Sequence, residues 1–331
     1  MKNNTIKKCL VIGSAGFVGE YLIEQLFADD YEVHATKLTK EVISSQHCVE
    51  HDLDILDYNQ TVSLLAEIKP ATIVLLAAQS SVALSWEIPQ QTVEVNVIGA
   101  INVLEAIRII GIKTRLLLVG SSEQYGMLSP QDIPVKENHQ TTPINPYAIS
   151  KMTQELFGHL YVKTFQLDVV LVRAFNHIGP KQSPVFVVSD FAKQIAEIEK
   201  GLKDPIIYVG NLDAKRDFTD VRDIVRGYVR ILENGKTGEI YNIGSGKAIS
   251  ISSILNQLVV LSTKEIEIKL DKDRIRPSDI PIVEADISKI KRDVDWTVEI
   301  DLKKSLLDIL SDWREKIEDN IVSQHMANNI V

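Results

Sequence analysis

The feature that most constrains this chain is a repeated pairing, from Lys7 to about Leu118, of a short unbroken apolar run with an amphipathic stretch. The runs are CLVIG, EVHAT, TIVLLA and RLLLVG, and between them lie Phe17 to Phe27, Tyr58 to Glu67 and Thr92 to Ile109. A strand with one face in water alternates apolar and polar residues, whereas a strand covered on both faces reads as a continuous run. Runs of the second kind alternating with helices imply parallel strands joined by crossover helices, and therefore a doubly wound α/β sheet. A further helical pattern spans Tyr147 to Phe165, and Asp168 to Val172 reads as one more buried strand. Past Asn176 the texture changes, with Gly179, Pro180, Pro184, Gly201, Pro205 and Gly210 breaking the pattern into the short elements of a smaller α+β lobe. The expected organisation is residues 1–176 mainly in the parallel-sheet domain and 177–318 mainly in a substrate-binding lobe, with segments crossing between them. A helix from Leu302 to Ile317 and a frayed tail over 319–331 complete the chain.

Bulk properties exclude more than they assign. At 331 residues, 45% hydrophobic and 24% charged, the chain can bury a proper core and matches no fibrous or disordered class. Its 36 basic and 45 acidic residues leave a net charge of −9, a field that repels a nucleic-acid backbone while still permitting a local pocket for one anionic ligand. Two cysteines, Cys9 and Cys48, make a disulfide framework unnecessary in a chain this large and fit a reducing, cytoplasmic setting. Lys2, Lys7 and Lys8 before CLVIG imitate a signal peptide, but the apolar stretch is short and runs straight into GSAGFVGE. No apolar run approaches the roughly 18 residues of a membrane span, so no membrane partner is expected. His47 and His51, at i and i+4, lack any metal-binding motif around them, and His177 reads as structural; no metal is expected.

Gly13, Gly16 and Gly19 form G-x-x-G-x-x-G directly after the first strand and open a helix whose first residues are Phe17 and Val18. Glycines there allow a tight turn and close approach of backbone to a pyrophosphate, whose charge is met by the helix N-terminus. The usual NAD fingerprint has an acidic residue at the end of the second strand; EVHATKL offers Thr36 and Lys37 instead. That omission favours NADP(H), with Lys37 against a 2′-phosphate and NAD(H) as the alternative. Asp52, followed by Leu53 at the next strand end, is placed to accept from an adenine amino group.

The chemistry falls at the other end of the cofactor. Tyr147 and Lys151 stand four residues apart in PYAISK, so a helix puts them on one face. A free tyrosine, with pKa of about 10, is a poor acid or base at neutral pH, but a neighbouring ammonium lowers it. Lys151 is also suited to hold the nicotinamide ribose. Ser121 and Ser122 follow RLLLVG, where a strand ends at the ligand-binding edge of a parallel sheet, and Glu123 is a carboxylate at the same edge. Together these residues describe proton exchange at a carbinol or carbonyl while hydride moves to or from a nicotinamide.

With the glycine motif, SSEQYG and PYAISK in this order, the chain resembles the extended short-chain dehydrogenase/reductase family of nucleotide-sugar epimerases, dehydratases and reductases, which has a Rossmann fold. Further matching segments are LAAQSSV at 76–82, NVIG at 96–99, RAFNHIGP at 173–180, RDFTDVRD at 216–223 and RPSD at 276–279. The resemblance implies a catalytic trio of Ser121, Tyr147 and Lys151, with Ala77, Ala78, Gln79 and Asn96 lining the cofactor. It also implies a substrate site of Ser81, Ser122, Asn176, Lys193, Arg216, Arg276 and Asp279, with the cations clamping a pyrophosphate, and a homodimer built on the two long helices. NHIGPKQSPVFVVSDFAKQI and VGNLDAKRDFTDVRDIV look most like GDP-4-keto-6-deoxy-mannose reductases, implying a GDP-linked hexose and GDP-rhamnose as product. GDP-mannose 4,6-dehydratases share the SSEQYG pattern, and Glu123 occupies the position of their C5 base, so a lyase remains an alternative. A catalytically silent sensor on the same fold is a third, set against the intact Ser121, Tyr147 and Lys151.

Overall fold

The protein is described from a computed structural model covering residues 7–271 and 280–328, with side chains placed as far as residue 322. Walking from the start, β1 (Lys7–Ile12), α1 (Phe17–Ala28), β2 (Tyr31–Lys37), β3 (Val49–Asp52), α2 (Tyr58–Ile68) and β4 (Thr72–Leu75) are followed by α3 (Val82–Glu87) and α4 (Pro89–Val93). Next come α5 (Gly99–Ile110), β5 (Arg115–Ser121), α6 (Pro146–Phe165) and β6 (Asp168–Ala174). The smaller lobe begins with β7 (Asn176–Ile178), α7 (Val187–Glu199), β8 (Ile206–Val209) and β9 (Lys215–Asp220). After α8 (Val221–Asn234) and β10 (Ile240–Ile243) it resumes with β11 (Ala248–Ser250), α9 (Ile251–Val260) and β12 (Glu267–Leu270), and α10 (Ser288–Val294) and α11 (Leu302–Asn328) close the chain.

The apolar runs become the middle of a seven-stranded parallel sheet in the order β10-β6-β5-β4-β1-β2-β3. Alternate residues of each run feed opposite faces. Cys9, Val11, Val74, Leu117 and Val170 pack with Leu22 and Leu26 of α1. Leu10, Ile12, Ile73, Leu75 and Leu116 pack with Leu65 of α2 and Leu104 of α5. Burying both faces is why the sequence shows no polar alternation there. A third core, with Phe191 and Ile195 of α7, Ile254 and Leu258 of α9, and Leu306 and Leu310 of α11, supports the smaller lobe.

The two lobes are not consecutive in sequence. Ile224, Val225 and Tyr228 of α8 join the first-lobe core, β10 pairs with β6, and buried Trp296 donates to the Asp223 carbonyl at 2.9 Å. Two expectations differ from what is seen. The stretch from Thr92 to Ile109 is interrupted by a π turn over Glu94–Ile98, and this wide turn presents Asn96 inward. The last helix does not stop at Ile317 but continues to Asn328, so residues 319–328 are not a frayed tail. Apolar spacing marks only the part of α11 that packs inward, through Leu306, Ile309, Leu310 and Ile317, and therefore does not show where the helix ends. No helix among the described residues is long and apolar enough to cross a membrane.

Candidate active site

The strand order reverses between β1 and β4, and ligands of open α/β sheets sit outside the carboxyl ends of the strands at such a point. Here the glycine loop faces the turn after β4. Gly13 adopts φ +87°, and a Cβ on it would lie 2.5 Å from the Ala77 nitrogen; a Cβ on Gly19 would lie 2.2 Å from the Ser14 carbonyl oxygen. Gly16 is different, because a Cβ there would meet nothing closer than 3.8 Å, which leaves the start of α1 open to a ligand. Beyond it the first N–H groups of α1, at Phe17 and Val18, lie where a helix offers donors to an anion. These residues fit a dinucleotide pyrophosphate. Phe17 also stacks on His177, whose ring Nδ1 bonds the Phe175 carbonyl at 3.0 Å, so His177 serves packing.

Thr36 anchors this loop from β2: its hydroxyl accepts from Gly13 N at 3.1 Å and its carbonyl from Ser14 N at 2.8 Å. Lys37 and Asp52, expected to meet the phosphate and the adenine separately, instead meet each other at 3.1 Å, with Leu53 buried just beyond. His47 bonds Glu24 at 2.8 Å and His51 bonds His34 at 2.9 Å, so the two histidines do not pair with one another.

On the β4 side, the turn from Ala77 through Ala78 to Gln79 is braced by Asn96. Its side chain accepts from Gln79 N at 2.8 Å and donates to the Gln79 carbonyl at 3.0 Å and to Ser150 Oγ at 2.9 Å. Asn96 is thus a buried strut for the loop expected to line the cofactor. Ser81 caps α3, its hydroxyl accepting from Leu84 N at 3.2 Å.

The catalytic candidates converge where β5 ends against α6. Asn145 caps α6 by accepting from Ala148 N at 2.8 Å, and Pro146 occupies the first helical position, where its missing N–H costs nothing. Tyr147 therefore projects from the first turn. Its buried phenol is hydrogen-bonded with the Ser121 side chain and lies near the Glu123 carboxylate. Burial first, opposed by the bond to Ser121 and reinforced by Glu123, pushes the phenol up to about 12. Lys151 does not make it acidic. The Lys151 ammonium bonds the Val119 carbonyl at 2.7 Å and Gln154 Oε1 at 3.0 Å, and burial pushes its pKa down to about 7. The expected acidification by a neighbouring cation is not seen: the amine is engaged by Val119 of β5 and by Gln154, does not act on the phenol, and is only about half protonated at neutral pH.

This amine makes folding pH-dependent. Its folded pKa lies below the ordinary 10.5, so below about pH 7 both states are charged and the fold carries the full burial cost. Between about 7 and 10.5 the unfolded chain binds the extra proton and stability rises with pH. The stability of Lys151→Met relative to wild type should accordingly fall as pH increases through that window, measured by urea denaturation at several pH values. A difference that does not change with pH contradicts a buried neutral amine.

Residues that sequence patterns did not single out complete the site. Asn145 Nδ2 donates to Glu123 Oε2 at 3.0 Å, steering that carboxylate toward the phenol side. Gln124 Oε1 accepts from Ser121 N at 2.9 Å, and Gln124 Nε2 donates to Glu155 Oε2 at 2.9 Å. Glu155 in turn takes a two-pronged bond from Arg173, at 2.9 and 2.7 Å. The signals were present as an Asn-Pro pair before a helix and an S-x-x-Q capping box. Ser122 is buried beside this network. Of the substrate candidates, Asn176 is exposed at the start of β7 and Lys193 pairs with Glu197 at 2.5 Å. Arg216 donates to the Ile280 carbonyl at 2.6 Å, and Arg276 and Asp279 lie outside the described residues.

The chain is similar in sequence and fold to known proteins. The sequence profile for GDP-mannose 4,6 dehydratase matches residues 10–309. A GDP-6-deoxy-D-mannose reductase of Pseudomonas aeruginosa is 32% identical over 313 residues, covering 95% of this chain and 99% of the relative. A GDP-mannose 4,6-dehydratase of Vibrio cholerae is 28% identical, covering 97% and 96%. Among solved structures, RMD from Pseudomonas aeruginosa complexed with NADPH matches with a TM-score of 0.85 and 31% identity over 94% of this chain and 99% of that one. UDP-glucose 4-epimerase of Thermus thermophilus, complexed with NAD, matches with 0.83 and 26% over 93% and 99%. By its sequence and its fold, this chain belongs to the GDP-mannose 4,6-dehydratase family, a group of nucleotide-sugar enzymes with the extended short-chain dehydrogenase/reductase fold.

Proposed function

We propose that the protein reduces the C4 ketone of GDP-4-keto-6-deoxy-mannose to GDP-rhamnose, using NADPH, in the cytoplasm. The observation that carries this reading is the Tyr147 phenol, held at Ser121 and kept protonated by burial. A bound nicotinamide supplies the hydride for the carbonyl carbon. The carbonyl oxygen then needs a proton, and a neutral phenol is the loaded form of the donor. Ser121, at the end of β5, hydrogen-bonds the same oxygen and fixes its distance from the phenol. Lys151, when protonated, keeps a third donor beyond those on Val119 and Gln154, which suits a ribose hydroxyl. Asn176, Lys193 and Arg216, with Arg276 and Asp279, are the residues proposed to hold the GDP portion; guanidinium forks match phosphate oxygens.

A second reading, the 4,6-dehydratase, is favoured by Glu123, whose carboxylate is steered by Asn145 to the phenol and could remove the C5 proton. Its first step would pass the C4 hydride to an oxidised nicotinamide and the C4 hydroxyl proton to the phenol, which must then stand deprotonated, the form that burial opposes. The two are separated by product and stoichiometry. Stoichiometric NADPH loss with the keto sugar supports the reductase; conversion of GDP-mannose to a keto sugar without net cofactor consumption overturns it.

The proposed assembly is a homodimer through α6 and its neighbours, because Ile149, Leu156 and Leu160 form an apolar stripe on α6 that is 47, 57 and 50% exposed. Light scattering should give about twice the 37.1 kDa of one chain. A single-chain mass would remove this assignment.

A further inference from the structure

At the end of β2, beside the two residues expected at the cofactor, Lys37 and Asp52, lies a third charge, Glu50, that neither the cofactor motif nor the catalytic residues account for. In the β2 to β3 register Lys37 pairs with Asp52 and Ala35 with Glu50. Side chains two apart share a face, so Lys37, Asp52 and Glu50 project together. The Lys37 ammonium lies 3.1 Å from Asp52 Oδ1 and 3.8 Å from Glu50 Oε2. Its side chain is only 16% exposed, whereas those of Glu50 and Asp52 are 45 and 46% exposed. One cation is thus covered by two carboxylates that face solvent. Thr36, the preceding residue, holds Gly13, so this cluster is tied to the loop shaped for a pyrophosphate. The adenosine ribose of a dinucleotide bound in that way falls at the end of the second strand.

On the dinucleotide reading given above, we propose that Glu50 sets the choice between the phosphorylated and unphosphorylated nicotinamide cofactors. A 2′-phosphate needs a cation with spare capacity, but Lys37 is already shared between two carboxylates and the local charge is negative. A ribose 2′-hydroxyl is in the opposite position, because it can donate to an open carboxylate oxygen. Lys37 therefore admits the phosphate, Glu50 and Asp52 oppose it, and the outcome is an enzyme that binds both cofactors with little discrimination. Glu50 is the adjustable member: Asp52 makes the shorter contact that positions Lys37, while Glu50 adds charge at greater distance.

The test is a fluorescence titration of the full-length protein with NADPH and with NADH, for wild type, Glu50→Gln and Glu50→Gln/Lys37→Met. Exposure of Glu50 makes its substitution compatible with folding, which a thermal melt verifies. Wild type should bind the two cofactors with dissociation constants within about tenfold of each other, and Glu50→Gln should tighten NADPH about three- to tenfold with NADH within twofold. Adding Lys37→Met should abolish that gain, and raising salt should shrink it. If both cofactors bind and their ratio is unchanged in Glu50→Gln, or both shift equally, the role of Glu50 is refuted while the cofactor site stands. If wild type binds neither, the dinucleotide reading itself falls and takes this proposal with it.

Discussion

Replacing Tyr147 with phenylalanine should reduce turnover by about 10²–10⁴, the usual contribution of a positioned proton donor. The ring is preserved, so the packing at the start of α6 is retained, and what is lost is the hydroxyl that meets Ser121. NADPH affinity should fall far less than turnover, because the pyrophosphate is expected at the Gly13 loop and the first turn of α1 and the hydroxyl supplies at most one further contact to the cofactor. Single-turnover oxidation of NADPH by the keto sugar, followed beside direct cofactor titration, separates the two quantities. Full turnover in Tyr147→Phe would strip the phenol of any chemical role, and unchanged function in vivo without turnover would point to a nucleotide-sugar sensor.

The second large effect is expected from Arg173→Met. Arg173 and Glu155 are both almost fully buried, with side-chain exposures of 5 and 8%. The guanidinium also covers the Tyr125 ring at 4.7 Å and donates to the Glu137 carbonyl at 3.1 Å. Removing it leaves the Glu155 carboxylate in the protein interior without its counter-charge, which costs about 3–5 kcal/mol. A buried ion pair can often be exchanged for apolar residues at much lower cost, so Glu155→Leu/Arg173→Met should recover a large part of the loss. Urea denaturation gives both numbers. A loss under about 1 kcal/mol for Arg173→Met would mean that water reaches the pair and that it is not a buried support. Because Gln124 links Glu155 to the Ser121 backbone, the variants that remain folded should also report on the placement of Ser121, proposed to bond the substrate oxygen.

Much of the sheet was legible because burial on both faces leaves a simple mark. β1, β4, β5 and β6 carry uninterrupted apolar runs, and the glycine loop follows the first of them directly, whereas β2 is buried but interrupted by His34 and Thr36. β3 left almost no mark, since it is short, on the sheet edge and mostly exposed. The π turn at Glu94–Ile98 was hidden because one wide turn barely disturbs apolar spacing, yet it determines where Asn96 points. In the site, spacing along one helix identified Tyr147 and Lys151 as neighbours. It did not reveal that Lys151 is held by Val119, because that bond joins α6 to β5 across many residues. Lys37 shows the same limit: residue type suggested a phosphate ligand, and only the register of β2 against β3 brings Asp52 and Glu50 onto it.

The return of the chain to its first sheet constrains how the molecule is made. A nascent polypeptide that has emerged only as far as β6 exposes an unpaired parallel edge and the apolar surface later covered by α8 and Trp296. Both coverings are supplied by segments translated after β7, α7, β8 and β9 of the other lobe, so the first half cannot complete its core and sheet edge until those segments have followed it. For the same reason a gene segment encoding only the N-terminal portion would not be a transferable module: the two lobes are inherited together.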